Sequence, residues 1–156
     1  MDFRYDTLCG LYCGACPILV ANENDAVATI AQAWKMEPEQ LRCHGCKSEI
    51  NAVYCANCGI KSCAEGKGVE YCFQCADYTC SRLLDFRNDA HSHHSIVLQN
   101  LNFVRGQGIE KWLEVQKTRW SCANCGAAFT WYDETCKVCG AKVYNCMNEE
   151  KDVIDD

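Results

Sequence analysis

The sequence lacks any long hydrophobic run. No stretch approaches the roughly 18 apolar residues of a membrane span, and Met1-Asp2-Phe3-Arg4-Tyr5-Asp6 has neither the basic nor the apolar segment of a secretory leader. The expected setting is therefore cytoplasmic, with no membrane partner. Proline is scarce, at 2 residues, and basic side chains are outnumbered, 15 Lys and Arg against 21 Asp and Glu, for a formal net charge of -6. An acidic chain is poorly matched to phosphate backbones, so nucleic acid is not the expected partner. Large apolar side chains are also thin in the middle of the chain: from Leu41 to Cys80 there are nine, too few to hold that stretch together by burial alone. Finally, no Ser, His and Asp set has the arrangement of a nucleophile with its base, and the chain is not expected to be an enzyme.

What the sequence has instead is cysteine, 16 residues in 156. That length allows one domain or two small ones, burying about 68 to 70 % of the unfolded surface. Sixteen cysteines mean either a disulfide framework in an oxidising compartment or metal ligation in a reducing one. Six of the pairs are CxxC. A disulfide inside CxxC closes a trivial loop, whereas two thiolates at that spacing grip one ion, so metal is the expected role and tetrahedral zinc the expected metal.

Four blocks follow one another. The first, Cys9-Gly-Leu-Tyr-Cys13-Gly-Ala-Cys16-Pro17, leads into a helical stretch in which Pro17 suits a first helical position and Asn24 or Asp25 is placed to cap a second segment. The second opens with Cys43-His44-Gly45-Cys46 and then repeats CxxCxxxxC: Cys55, Cys58 and Cys63 recur, each displaced by 17 positions, as Cys72, Cys75 and Cys80. The third is helical, with Val97, Leu101 and Val104 on one face and Ile109, Trp112 and Leu113 after a break at Gly106-Gln107-Gly108. The fourth carries two similar knuckles, Cys122-Ala-Asn-Cys125-Gly126 and Cys136-Lys-Val-Cys139-Gly140, with Phe129-Thr-Trp131-Tyr132 between them in the pattern of a strand.

These blocks predict a small metal-dominated α+β fold. Residues 1-88 form an irregular cysteine-rich metal-binding domain with short helices, 89-117 a helical connector, 118-148 a zinc-ribbon β-hairpin and 149-156 an acidic tail read as solvated disorder.

The expected ligands divide by block. Cys122, Cys125, Cys136 and Cys139 supply four soft ligands for one ion, and the glycine after each knuckle permits the positive φ that turns backbone N–H groups toward sulfur. Cys43, Cys46, Cys55, Cys58, Cys63, Cys72, Cys75 and Cys80 suffice for two further sites, with the sharing of ions left open. Cys9, Cys13 and Cys16 give three thiolates where a closed site needs four; His44 is a candidate fourth, Cys146 is another unassigned ligand, and the alternative is an iron-sulfur cluster or an exchangeable ion at the triad. The total is about three to four zinc ions per chain at four ligands each. CxxxCxxC is also the radical S-adenosylmethionine spacing, but that chemistry rests on a barrel larger than this chain can build. His91, His93 and His94, beside Asp89, read as exposed polar sequence, with imidazole ligation as the alternative. Trp131 and Tyr132 can stack on bases, which keeps a nucleic-acid-binding ribbon as a further reading, although residues 118-148 hold three basic against two acidic side chains.

In combination, Cys9-Gly-Leu-Tyr-Cys13-Gly-Ala-Cys16-Pro17, Cys43-His-Gly-Cys46, Cys55, Cys58, Cys63-Ala64, Gly68-Val69, Cys72, Cys75, Tyr78 and Cys80 resemble a widespread bacterial and archaeal family of small cysteine-rich proteins of unknown function. Some members are also similar further on, where Asn100-Leu101, Trp112-Leu113 and Arg119-Trp120 lead into a rubredoxin-like ribbon. The resemblance implies a cytoplasmic metal-binding protein without an established activity; this sequence departs from it at Thr79, where relatives carry proline. The function expected is a metal-stabilised scaffold or interaction protein whose partner is another protein, the alternative being redox or metal handling through the N-terminal triad.

Overall fold

The computed structural model describes residues 2–153. Its regular structure is helical. Pro17, with its preset φ, begins α1 (Pro17–Glu23), and α2 (Val27–Trp34) stops where Lys35 turns left-handed at φ 57. The residues between them do not cap α2 as expected. Asn24 closes α1 instead, its side chain donating to the Val20 carbonyl at 2.8 Å; Asp25 takes φ 53, and the N-cap of α2 is Ala26 without a side-chain bond.

Two short helices, α3 (Val53–Ala56) and α4 (Gly59–Gly66), carry the first cysteine repeat, and α5 (Ser81–Arg87) follows the second. Further on, α6 (Val97–Gln107) and α7 (Ile109–Arg119) pack on each other about Gly108, whose φ of 90 suits glycine and breaks the helix. A last helix, α8 (Cys146–Asp152), is capped by Asn145, whose side chain accepts from the Met147 and Asn148 N–H groups. It takes in Glu149 to Asp152, which the sequence reading gave to a disordered tail; Glu149 pairs with Arg119 at 3.1 Å, and the end of that tail, 154-156, lies outside the described residues.

Apolar packing falls into three clusters, and one loop feeds all of them. Tyr12 and Ala15 join Val104, Trp112, Trp120, Phe129 and Cys146; Cys13 joins Leu19, Ala31 and Leu41; Cys9 joins Ile60, Tyr71, Leu83, Val97 and Leu101. Burying each large aliphatic or aromatic chain stabilises by about 1.5 to 3 kcal/mol. The N-terminal cysteine loop thus ties α1, α4 and the α6–α7 pair together.

The expected α+β class with a ribbon hairpin is corrected. Among the described residues the C-terminal block has only two isolated antiparallel bridges, Ser121 with Ala128 and Thr135 with Lys142, and no strand ladder. Hydrogen bonding explains why. The Trp131 N–H donates to the Ala15 carbonyl at 3.0 Å, and the Trp131 carbonyl accepts from the Cys146 N–H at 2.9 Å. Thr130 and Asp133 close a turn across the same residues, with Thr130 N–H donating to Asp133 Oδ2 at 2.8 Å and Asp133 N–H to the Thr130 carbonyl at 3.1 Å. The aromatic alternation at 129 to 132 therefore anchors the block to the N-terminal loop and α8, and the Trp131 N–H and carbonyl that a strand partner would need are already bonded.

Candidate metal centres

The two C-terminal knuckles are near copies in three dimensions. In the first, Cys122 N–H donates to the Ala127 carbonyl and Gly126 N–H to the Cys122 carbonyl, both at 2.7 Å. In the second, Cys136 N–H donates to Ala141 at 2.8 Å and Gly140 N–H to Cys136 at 2.9 Å. Gly126 and Gly140 have φ 81 and 77, as the sequence reading required.

Facing each other, the knuckles bring four sulfurs within 4.8 Å of one another, with Cys122 Sγ 3.7 Å from Cys139 Sγ and Cys125 Sγ 3.5 Å from Cys136 Sγ. A disulfide needs about 2.05 Å, and all sixteen cysteines are free. A tetrahedral ion with metal–sulfur bonds near 2.3 Å holds its ligands about 3.8 Å apart. The donor set and its spacing fit such an ion. Asn124, with the Ala141 N–H, pushes the Cys139 thiol down to about 6, so one ligand reaches its thiolate form readily. The role of Asn124 went unread in the sequence, although the Ala-Asn pair inside this knuckle also stands at Ala56-Asn57.

The first half of the chain is arranged differently. Cys9, Cys13 and Cys16 do not form one group of sulfurs within 4.8 Å. Instead Cys13 has Cys16, Cys46 and Cys55 as charge neighbours, Cys55 has Cys43 and Cys16, and Cys9 has Cys46 and Cys58. Burial first, then the neighbouring thiols, push Cys16 up to about 11 and Cys55 up to about 12, and raise Cys9 and Cys13 as well. Without a cation these thiols stay protonated, so metal binding here must release protons. The Cys43 knuckle is set for sulfur ligation, since Gly45, at φ 120, turns its N–H onto Cys43 Sγ at 3.4 Å.

The 17-residue repeat resolves into a shared cavity: Cys63 of the first copy joins Cys72, Cys75 and Cys80 of the second around it. The His44 ring packs on Phe3 at 4.7 Å. Cys146 is fully buried in the cluster with Trp112 and Trp120, and burial pushes its thiol up to about 11.

His93 and His94 are less exposed than expected, while His91 is exposed. His94 is buried against Phe86, with ring centroids 3.7 Å apart, and its Nδ1 lies 2.8 Å from Asp89. Asp89, His91 and His94 bring ligand atoms within 4.8 Å of one another. His93 stacks on Trp131 at 4.1 Å and lies 2.8 Å from the Tyr132 hydroxyl. Burial, then the neighbouring imidazoles, pushes His93 down to about 3, so it stays neutral at physiological pH. One face of Trp131 is thereby covered by the protein itself.

No helix among the described residues is long and apolar enough to cross a membrane. No curated protein and no solved structure matches this chain. A family model described as "Protein of unknown function (DUF3795)" matches residues 5–85, which span the N-terminal cysteine loop, the Cys43 knuckle and both copies of the repeat. This chain, by that match across half its length and across eleven of its sixteen cysteines, belongs to the DUF3795 family.

Proposed function

We propose that this protein is a zinc-binding, metal-stabilised scaffold that acts by presenting its surface to another protein. The observation that carries the reading is the set of four C-terminal sulfurs, spaced for one tetrahedral ion. Four thiolates fill a zinc coordination sphere and leave no position for a substrate, which is the signature of a structural site. Binding there supplies about 10 to 16 kcal/mol at neutral pH. The block needs that contribution, because its two bridges provide little cooperative hydrogen bonding. Each such site adds two negative charges relative to neutral thiols, and free thiolates require a reducing compartment, in keeping with a cytoplasmic protein.

The protein-partner reading is supported by Tyr54, 58 % exposed, whose hydroxyl donates to the Met36 sulfur at 3.3 Å, and by the exposed Trp34, two positions before Met36 in the chain. Exposed aromatics beside methionine are a common contact chemistry. Metal analysis of protein purified without chelator tests the core of the reading. About three to four metal centres per chain are expected, with zinc at the four C-terminal sulfurs, and loss of helical circular dichroism on chelation. No transition metal, together with oxidised cysteine pairs in the mass spectrum, overturns it.

A further inference from the structure

We propose that Cys63, Cys72, Cys75 and Cys80 together ligate one iron-sulfur cluster of the [4Fe–4S] class, seated in the cavity they line. The proposal rests on the metal-thiolate reading above and assigns a second kind of metal to a second place. Four cysteines from both copies of the repeat converge on one cavity of about 30 Å³. The C-terminal site is an internal standard for what a single ion looks like in this molecule: its four sulfurs lie within 4.8 Å of one another, whereas no three of Cys63, Cys72, Cys75 and Cys80 do. A single zinc would have to draw four separated sulfurs to edges of about 3.8 Å. A cubane binds one thiolate at each iron corner, so its ligands stand apart by the width of the core and surround a void.

The surroundings fit the charge of such a group. Two ferric, two ferrous and four sulfide ions make a core of charge +2; the four thiols release four protons to solvent as they bind, leaving a unit of charge -2. Lys67 and Arg82, two cations, line the same cavity, and Lys67 also pairs with Asp77 at 2.8 Å. Lys67 Nζ donates to Cys75 Sγ at 3.2 Å, and the Asp77 N–H donates to the same sulfur at 3.4 Å, the kind of contact that tunes a cluster's potential. Ile60 and Leu83, 7 % and 1 % exposed, shield the cavity floor from water.

Anaerobic reconstitution of the full chain with ferrous and ferric iron and sulfide tests the assignment. The expected product is brown, has sulfide-to-iron charge-transfer absorption and holds about four iron and four sulfide per chain. Cys63→Ala and Cys80→Ala should each abolish the absorption while zinc at the C-terminal site and helical dichroism remain; Cys9→Ala should keep it. Lys67→Met, in case the cysteine variants do not fold, should keep the iron and shift the midpoint potential to more negative values. A colourless protein that retains its C-terminal zinc overturns the cluster and leaves the scaffold reading standing; a protein that holds no metal anywhere overturns both. Absorption that survives Cys63→Ala, or a potential that Lys67→Met does not move, places the cluster elsewhere and overturns this site.

Discussion

Tyr71 donates its hydroxyl to the buried Asp6 carboxylate at 2.8 Å, joining the N-terminal segment to the loop before the second cysteine repeat. Lys47 completes the arrangement, 3.0 Å from Asp6 and 3.6 Å above the Tyr71 ring, and Arg4 pairs with Asp6 at 3.2 Å. Burial pushes the Asp6 carboxyl up, but the Tyr71 hydrogen bond and the two cations outweigh it and hold its pKa below the ordinary carboxylate range. Asp6→Ala leaves the half-buried Lys47 and the buried Tyr71 hydroxyl without their partner and should cost about 3 kcal/mol in chemical denaturation at pH 7. Because the folded pKa is the depressed one, this stabilisation is complete above the unfolded value near 4 and disappears as pH falls through the folded value. The gap between wild type and Asp6→Asn should therefore narrow in acid; a gap that widens would refute the sign.

Two glycines with positive φ should respond very differently to alanine. A Cβ on Gly45 would sit 2.0 Å from the Arg4 carbonyl oxygen, whereas one on Gly68 meets nothing within 4 Å. Gly45→Ala should cost more than about 4 kcal/mol and release metal from the Cys43 knuckle. Gly68→Ala carries only left-handed strain, about 1 to 2 kcal/mol. Thermal melts of the two proteins with metal analysis check this contrast.

Cysteines that ligate should separate from cysteines that pack. Cys139→Ala is expected to lose one metal per chain and to expose the 121-142 segment to protease. Cys146→Ala, in the core with Trp112 and Trp120, should keep every metal and lose about 1 kcal/mol from one deleted sulfur. Unchanged metal content in Cys139→Ala would count against the four-sulfur centre.

At 1 % exposure Trp112 is the largest fully buried side chain, and it meets Tyr12 edge-on at 5.9 Å. Trp112→Ala should cost about 3 to 5 kcal/mol. The indole N–H has no hydrogen-bond partner among the described residues, so Trp112→Phe removes an unpaired buried donor along with some volume and should cost less than about 1.5 kcal/mol. Denaturant midpoints at constant m-value provide the measurement.

Local chemistry was legible in the residues alone. The CxxCG knuckles, Pro17 at the start of α1 and the helical faces of Val97, Leu101 and Trp112 each depend on residues a few positions apart, whose steric and hydrogen-bonding preferences are intrinsic. Which sulfurs meet was decided only by the tertiary structure. The CxxCxxxxC repeat allowed one ion per copy or a brace between copies; Cys63 lines the same cavity as the three cysteines of the second copy, beside Ile60 and Leu83. The supposed strand at Phe129–Tyr132 has the alternation of a hairpin, yet its backbone bonds to Ala15 and Cys146, more than a hundred residues away and just beyond the second knuckle respectively. Alternation records which side chains are buried, while the partner of each N–H and carbonyl depends on what the rest of the chain brings alongside.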